Sequence, residues 1–370
     1  MIKNTIFIAV VVGCISSCGA PDASRRTVGP LETIAELEQG PGNVAVSQDG
    51  RVFISNHSIY RPDIKVIEVL DDGSTRPFPN QQWAATRRED GQSLSGVLGI
   101  QVDAADRVWM LDSGRPARIV VWDAANDELD RILPLDGPAK NRGSFFNDIA
   151  LDPVNGKVYV SDASAKNPAI VVVDMDSGDA YRALERHPSV TAKAISMSVD
   201  DPVIEAARAE SGKAPTPTVA RIGVDGITID PDGEWVYYTP AQGDSLWRVR
   251  TIDLLDRSLS EDDLGDRVER VGDRPACDGI TIDNQGNVYI TDITGNAIGV
   301  VDQAGSYRRL LQDAEKLSWP DSIAFGPDGY VYVVSNQLHR SAPFNRGEDY
   351  TQQPFYLSRF KALAAGTIGR

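Results

Sequence analysis

The sequence predicts an all-β fold: a six-bladed β-propeller with four-stranded blades and one helix-bearing insertion before the main hairpin of the fourth blade. Three observations carry this. One hairpin pattern recurs six times. The copies are about 45 to 80 residues apart, which leaves room for two further strands in each unit. The length, 370 residues, suits one large all-β domain as well as two ordinary ones.

Each copy is an apolar alternating run, a turn carrying Asp, Asn or Gly, a second apolar run with an aromatic residue, and a polar pair. The first runs from Gly42 to Asn56 across Asp49-Gly50. The second leads from Leu98–Asp103 to Val108–Asp112, and the third from Asn147–Asp152 to Val158–Asp162. The fourth leads from Asp225–Asp230 to Val236–Thr239, the fifth from Asp278–Asp283 to Val288–Asp292, and the sixth from Asp321–Phe325 to Val331–Asn336. Alternation marks strands with one face buried, and the Asp-Gly or Asn-Gly type of turn reverses the chain tightly. Weaker strands follow, such as Ala169–Val173 and Ala297–Val301. A ring must close, and Thr33–Leu37 is expected to pair with Phe355–Phe360.

The spacing is uneven once. About thirty extra residues, roughly Ala180 to Arg221, separate the third and fourth hairpins. Within them Asp201–Glu210 reads as a short helix, with Pro202 in its first turn and Gly212 ending it. A lid over the channel mouth and a decorated surface loop both fit this pattern.

The first residues form a different unit. Lys3 precedes an apolar run, Thr5 to Gly13, too short to span a bilayer, and small residues then lead to Cys18. Residues 1–18 therefore read as a lipoprotein-type signal segment with Cys18 lipidated. Cys14 is the rival position, and a plain cleaved signal is the simpler alternative. Residues 19–30 read as a tether and 31–370 as the propeller. The expectation is an exported protein, lipid-anchored to a bacterial membrane on its periplasmic or cell-surface side. The one cysteine beyond the signal, Cys277, has no partner for a disulfide and reads as a small buried hydrophobe.

The formal net charge of −16 comes from 37 Lys and Arg against 53 Asp and Glu, which argues against nucleic acid as a partner. It suits a cationic small-molecule ligand or a bound cation. Propeller topology locates such a site. The first strand of each blade starts at one face and the second returns to it, so the residues flanking the pair share that face. Two residues before the leading Ile or Val of each first strand stand Gly42, Leu98, Asn147, Asp225, Asp278 and Asp321. Further out on the same face come Asn56, Asp112, Asp162, Asp292 and Asn336, with His57 and His339 beyond the first and sixth hairpins. Carboxylates converging on a narrow channel repel, and a cation, shared protons or hydrogen bonds must offset that. An all-oxygen set suits a hard cation such as Ca²⁺. The bland reading is that each Asp caps a local turn by bonding backbone N–H groups, as expected for Asp292. Among recognisable catalytic signatures, the sequence contains no G-x-S-x-G, H-E-x-x-H or P-loop.

Gly223–Ile229, Asp244–Val249, Asp278–Asp283, Leu317–Ser322 and Ser335–His339 resemble the major royal jelly protein/Yellow family, a group of secreted six-bladed propellers with roles that include ligand binding and dopachrome-type tautomerisation. A wider resemblance is to gluconolactonase/regucalcin-like propellers, which hold a divalent cation in the channel and open lactones. Asn147-Asp148 is similar to that group's first Asn ligand motif. Asp278-Gly279 is similar to its Asp, ligand and general base at once. Asp225 stands where a second Asn is usual, and Gly42-Asn43 occupies the region of the missing Glu. The resemblance implies a metal set of Asn147, Asp225 and Asp278 holding a divalent cation, calcium, as cofactor, with Asp278 as catalytic base. Asp321, Asn336, His339 and Asn56 complete the expected ligand site. Two functions follow: a metal-dependent hydrolase of lactones or related esters, or a non-enzymatic binder of a cationic amine.

Overall fold

The computed structural model describes residues 27–85, 92–211 and 221–370. The signal segment, with Cys14 and Cys18, most of the tether, and Gly212 lie outside the described residues.

Six four-stranded antiparallel sheets form the ring. The innermost strands are Pro41–Val46, Val97–Val102, Phe146–Asp152, Val224–Ile229, Cys277–Ile282 and Pro320–Phe325, of blades 1 to 6 in order. Each contacts the innermost strand of the next blade, and blade 6 contacts blade 1, so the circle is complete. Both faces of every blade are covered by its neighbours. That is why the inner and second strands are buried along almost their whole length. Six apolar clusters fill the six gaps between blades.

The clasp pairs Glu32–Leu37 with Phe355–Lys361, so the earliest strand becomes the outer edge of blade 6. Leu37 lies opposite Phe355 and Ala35 opposite Leu357. The side chains of Ala35, Leu37, Phe355 and Leu357 join the blade 6–blade 1 cluster.

The polar pairs after the second strands divide their work. Their first members bond the neighbouring inner strands. Ser55 accepts from Asn43 N at 2.9 Å, Ser161 from Asp148 N at 2.9 Å, and Thr291 from Gly279 N at 2.9 Å. Their second members clamp loops. Asp112 pairs with Arg118 at 3.2 Å and Asp162 with Arg182 at 2.8 Å, while Asp292 takes Arg309, Tyr307 and the Gly295 amide. Asn56 donates to Ile64 O at 2.9 Å.

Two segments close the channel. At the hairpin-turn face, residues 362–370 run inward from blade 6. Asn284 N donates to Ala365 O, and Thr281, on the inner strand of blade 5, donates to Arg370 O at 3.1 Å. On the opposite face the insertion forms a strap. It follows the outer strand of blade 3, Ala180–Ala183, and is tied to the loop after the second strand of blade 4 by bonds between Lys193, Ile195 and Gln242. Ile195, Met197 and Val199 pack with Trp319, Leu338, Phe344 and Ile222. Asp201 then starts the helix Pro202–Ser211, its carboxylate accepting from Val203 N at 2.8 Å. The insertion thus lies across the face at which the inner strands begin.

The clasp makes Leu357, fully buried, a test of ring closure. Leu357→Ala should cost about 2–5 kcal/mol, because its cavity sits where the first and last strands join. Urea unfolding followed by circular dichroism measures this, and a loss under about 0.5 kcal/mol would mean the clasp is not a stabilising part of the ring.

Candidate functional site

Every innermost strand carries an irregularity at the same place: the register shifts between Pro41 and Val44, Val97 and Ile100, Phe146 and Ile149, Val224 and Ile227, Cys277 and Ile280, and Pro320 and Ile323. A bulge re-aims side chains. Here it turns two successive residues of each strand toward the axis. The first ring of positions is Gly42, Leu98, Asn147, Asp225, Asp278 and Asp321. The second is Asn43, Gly99, Asp148, Gly226, Gly279 and Ser322.

The second ring is crowded by the neighbouring backbone. A Cβ on Gly226 would stand 2.7 Å from Asp278 O, and one on Gly279 2.5 Å from Asp321 O. The glycines of the recurring Asp-Gly-Ile therefore allow close approach of adjacent blades and are not there for a turn. Where the second ring carries side chains, they meet: Asn43 Nδ2 donates to Asp148 Oδ1 at 3.1 Å, across the gap left by Gly99.

The first-ring residues, with Asn43 from the second, surround a cavity of about 130 Å³. Its polar wall includes Asn43, Asn147, Asp225, Asp278, Asp321 and His57. Its apolar wall includes Ile59, Leu98, Phe145, Trp319, Leu338 and Phe344. No Lys or Arg is among the described residues that line it.

The carboxylates bond to side chains and to one another. Asp225 accepts from Asn147 and shares a hydrogen bond with Asp278. Asp278 Oδ2 accepts from the Trp319 indole N–H at 2.7 Å. Asp321 accepts from Asn336. Only Asp148 follows the local-turn pattern, accepting from Ile149 N at 2.8 Å. Burial is the main force on their ionisation. It pushes Asp278 up to about 6 against the bonds from Trp319 and Asp225. It pushes Asp148 up to about 7, helped by the charge of Asp278. Burial, and then the charge of Asp278, hold Asp225 and Asp321 well above the ordinary carboxylate range. The cluster therefore holds protons near neutrality, the state expected of like charges confined in a dry site.

The structure brings Asn147, Asp225, Asp278 and Asp321 together at the cavity, with Asn336 touching it through Asp321. His339 stands behind the wall, stacked on Trp319 with ring centroids 5.8 Å apart. Asn56 is held by the loop that follows it and does not line the cavity. His57 does line it. Its Nδ1 accepts from Ile59 N at 3.1 Å, and burial pushes its pKa down to about 4, so the ring is neutral with its proton on Nε2. Trp319 is a further member of the wall, and Asp148 reaches the site through Asn43. Asp148 was visible in the sequence only as the residue after Asn147, and Trp319 only as part of Trp-Pro-Asp. Among the described residues, no group of three or more His, Cys, Asp or Glu side chains is arranged to hold a metal ion.

A six-bladed propeller with an acidic, apolar-rimmed pocket on its axis is the class that fold and site define. The chain belongs to the major royal jelly protein family, whose model matches residues 95–367. Among curated relatives, it is 26% identical to Major royal jelly protein 5 of Apis mellifera over 48% of this chain and 29% of that protein, and 21% identical to Major royal jelly protein 6 of the same organism over 51% and 43%. The matched region thus spans less than half the length of these relatives. Similar solved structures include a gluconolactonase from Xanthomonas campestris (TM-score 0.56, 13% identity, 90% of this chain and 89% of that one) and a calcium-binding regucalcin from Agrobacterium tumefaciens (0.55, 13%, 92% and 98%). A luciferin-regenerating enzyme gives 0.58 at 14% identity over 92% and 98%. At such identities these likenesses show the fold alone.

The raised carboxyl pKa values carry a sign for stability. Asp148 moves from 3.8 to about 7, so between those values the folded state binds more protons than the unfolded state. Its contribution is present in acid and is lost as pH rises toward 7. Asp148→Asn should therefore melt with the parent near pH 4 and roughly a few degrees above it near pH 8. Calorimetric Tm values across that range check this, and a difference that does not change with pH would contradict it.

Proposed function

We propose that the channel cavity binds a small organic cation, an amine on an apolar body. The observation that carries this reading is the division of the wall: carboxylates that retain protons for want of a counter-charge, beside an uncharged rim of Ile, Leu, Phe and Trp side chains. An ammonium group would replace the shared protons, hydrogen-bonding to Asp225, Asp278 and Asp321, while the rim covers its body. A cavity of about 130 Å³ has room for a group of roughly benzene size. The family resemblance is compatible with a binding role.

Benzylamine is a suitable probe. Titration calorimetry should show binding that tightens roughly tenfold from pH 5 to pH 8, as Asp278 passes from mostly protonated to mostly charged. Asp278→Asn should weaken it by at least that factor at pH 8. Failure of the parent protein to bind at millimolar concentration at pH 8 would end this reading.

One observation favours a second reading, a divalent cation serving hydrolysis of lactones or related esters. Asn43 Oδ1 is buried and has no hydrogen-bond partner, and an oxygen left in that state is suited to a hard cation. Asn43, Asn147, Asp225 and Asp278 would hold the ion, calcium being the first to try. When bound it would polarise a carbonyl. Asp278, with its pKa near 6, is placed in the range for taking a proton from water. The likeness to a gluconolactonase and a calcium-binding regucalcin supports the reading at the level of fold. Calcium titrated in the same calorimeter decides: stoichiometric calcium, together with lactone hydrolysis abolished in Asp278→Ala, would displace the amine reading.

For localisation we propose export with lipidation at Cys18. Labelling with a palmitate analogue in a bacterial host should be lost in Cys18→Ser and kept in Cys14→Ser, and the reverse pattern would move the anchor to Cys14.

A further inference from the structure

The strap and the floor of the cavity are joined by a line of side chains. Asp201, at the start of the insertion helix, uses its two carboxylate oxygens differently. Oδ1 caps the helix through Val203 N at 2.8 Å, and Oδ2 takes both His339 Nε2 and Arg340 Nε, each at 2.7 Å. His339 lies flat on Trp319, with an angle of 11° between the rings. The Trp319 indole N–H donates to Asp278 Oδ2 at 2.7 Å. All four groups are buried.

Two features show that the line is imposed at a cost. Trp319 has φ 53°, in the left-handed region that a bulky residue enters only under constraint. His339 keeps its Nδ1 buried with no hydrogen-bond partner, an arrangement that ordinarily destabilises. The Trp319 carbonyl still continues the blade 6 pairing, accepting from Asn336 N at 3.1 Å just ahead of Pro320, but the two side chains lie outside the strands of that sheet. The side chains serve the contact between the insertion and Asp278.

We propose that the insertion sets the geometry of the cavity floor through this line, so that Asp201, His339 and Trp319 are positioning residues for Asp278. The strap then does more than roof the rim. When Asp201 is seated on His339 and Arg340, the imidazole presses the indole into place and the indole fixes one oxygen of Asp278. The other oxygen is left to face Asp225 and any occupant. When the strap lifts, the indole loses its backing. The link rests on the reading above only in treating Asp278 as the occupant's partner.

The indole proton of Trp319 reports on this without any ligand. In ¹⁵N-labelled protein its signal, assigned by its disappearance in Trp319→Phe, should exchange slowly with solvent. Asp201→Asn keeps a good helix cap but weakens the pairing with His339 and Arg340. His339→Ala removes the backing ring. In both, exchange of this one proton should accelerate by roughly tenfold or more, as expected when a hydrogen bond to a charged group is lost. The other indole signals, unchanged, would show that the variants are folded, and Asp201→Asn decides alone should His339→Ala not fold. Benzylamine affinity should fall by about the same factor in both. Unchanged protection of the Trp319 proton in folded Asp201→Asn would overturn the proposal. Faster exchange in a protein whose parent does not bind benzylamine would uphold the positioning line and overturn the amine reading instead.

Discussion

Six strands must meet side by side around one axis, and most of what distinguishes this molecule follows from that. The inner strands are so close that a Cβ at Gly226 or Gly279 would strike the carbonyl of the next blade. A regular strand would direct alternate side chains into that crowd. The bulge at the head of each strand releases the tension locally, at the cost of some ladder bonds, which Ser and Thr hydroxyls of the second strands replace. It also turns the first-ring side chains onto the axis. The pocket is therefore a product of ring closure, and its contents are whatever residues occupy six equivalent positions.

Those contents are costly. Asp225, Asp278 and Asp321 line one cavity, Asp148 is buried behind Asn43, and no Lys or Arg lines that cavity among the described residues. The outer carboxylates make a useful contrast. Asp112 and Asp162 are as deeply buried, yet each has its own arginine. Burial alone therefore does not explain the unpaired state of the inner four. The fold has arginines available for buried carboxylates and places none at the axis. On the reading proposed above, the missing charge is supplied from outside.

Much of the fold was legible because it is written six times. Strand alternation, hairpin turns and the clasp all repeat or close a visible period, and Asn147, Asp225, Asp278 and Asp321 fall at equivalent positions of it. What could not be read arises from contacts between blades. Nothing in the sequence around Gly226 and Gly279 signals the carbonyls of the next blade that stand beside them. Asp148 is in the wrong phase for a channel residue in a regular strand, and only the bulge brings it inward. Asn56 was in the right phase, but the loop to Ile64 holds it away. His339 and Asp201 are separated by 138 residues, and the repeat gives no sign that the insertion would bring Asp201 against His339 and, through it, Trp319.

The same distinction bears on what the site selects. A floor of carboxylates and amides accepts a compact metal ion or an ammonium group almost equally, since both satisfy the same oxygens. The rim does not treat them alike. Phe145, Phe344, Ile59 and Leu98 offer apolar surface worth about 25 cal/mol for each Å² it covers, and only an organic cation has a body to cover. A divalent ion would gain nothing from that surface. The Trp319 N–H opposes neither occupant, because it uses one oxygen of Asp278 and leaves the other free to accept from an ammonium group or to ligate an ion. On the reading proposed above it is therefore the apolar rim, and not the carboxylate floor, that favours an organic cation.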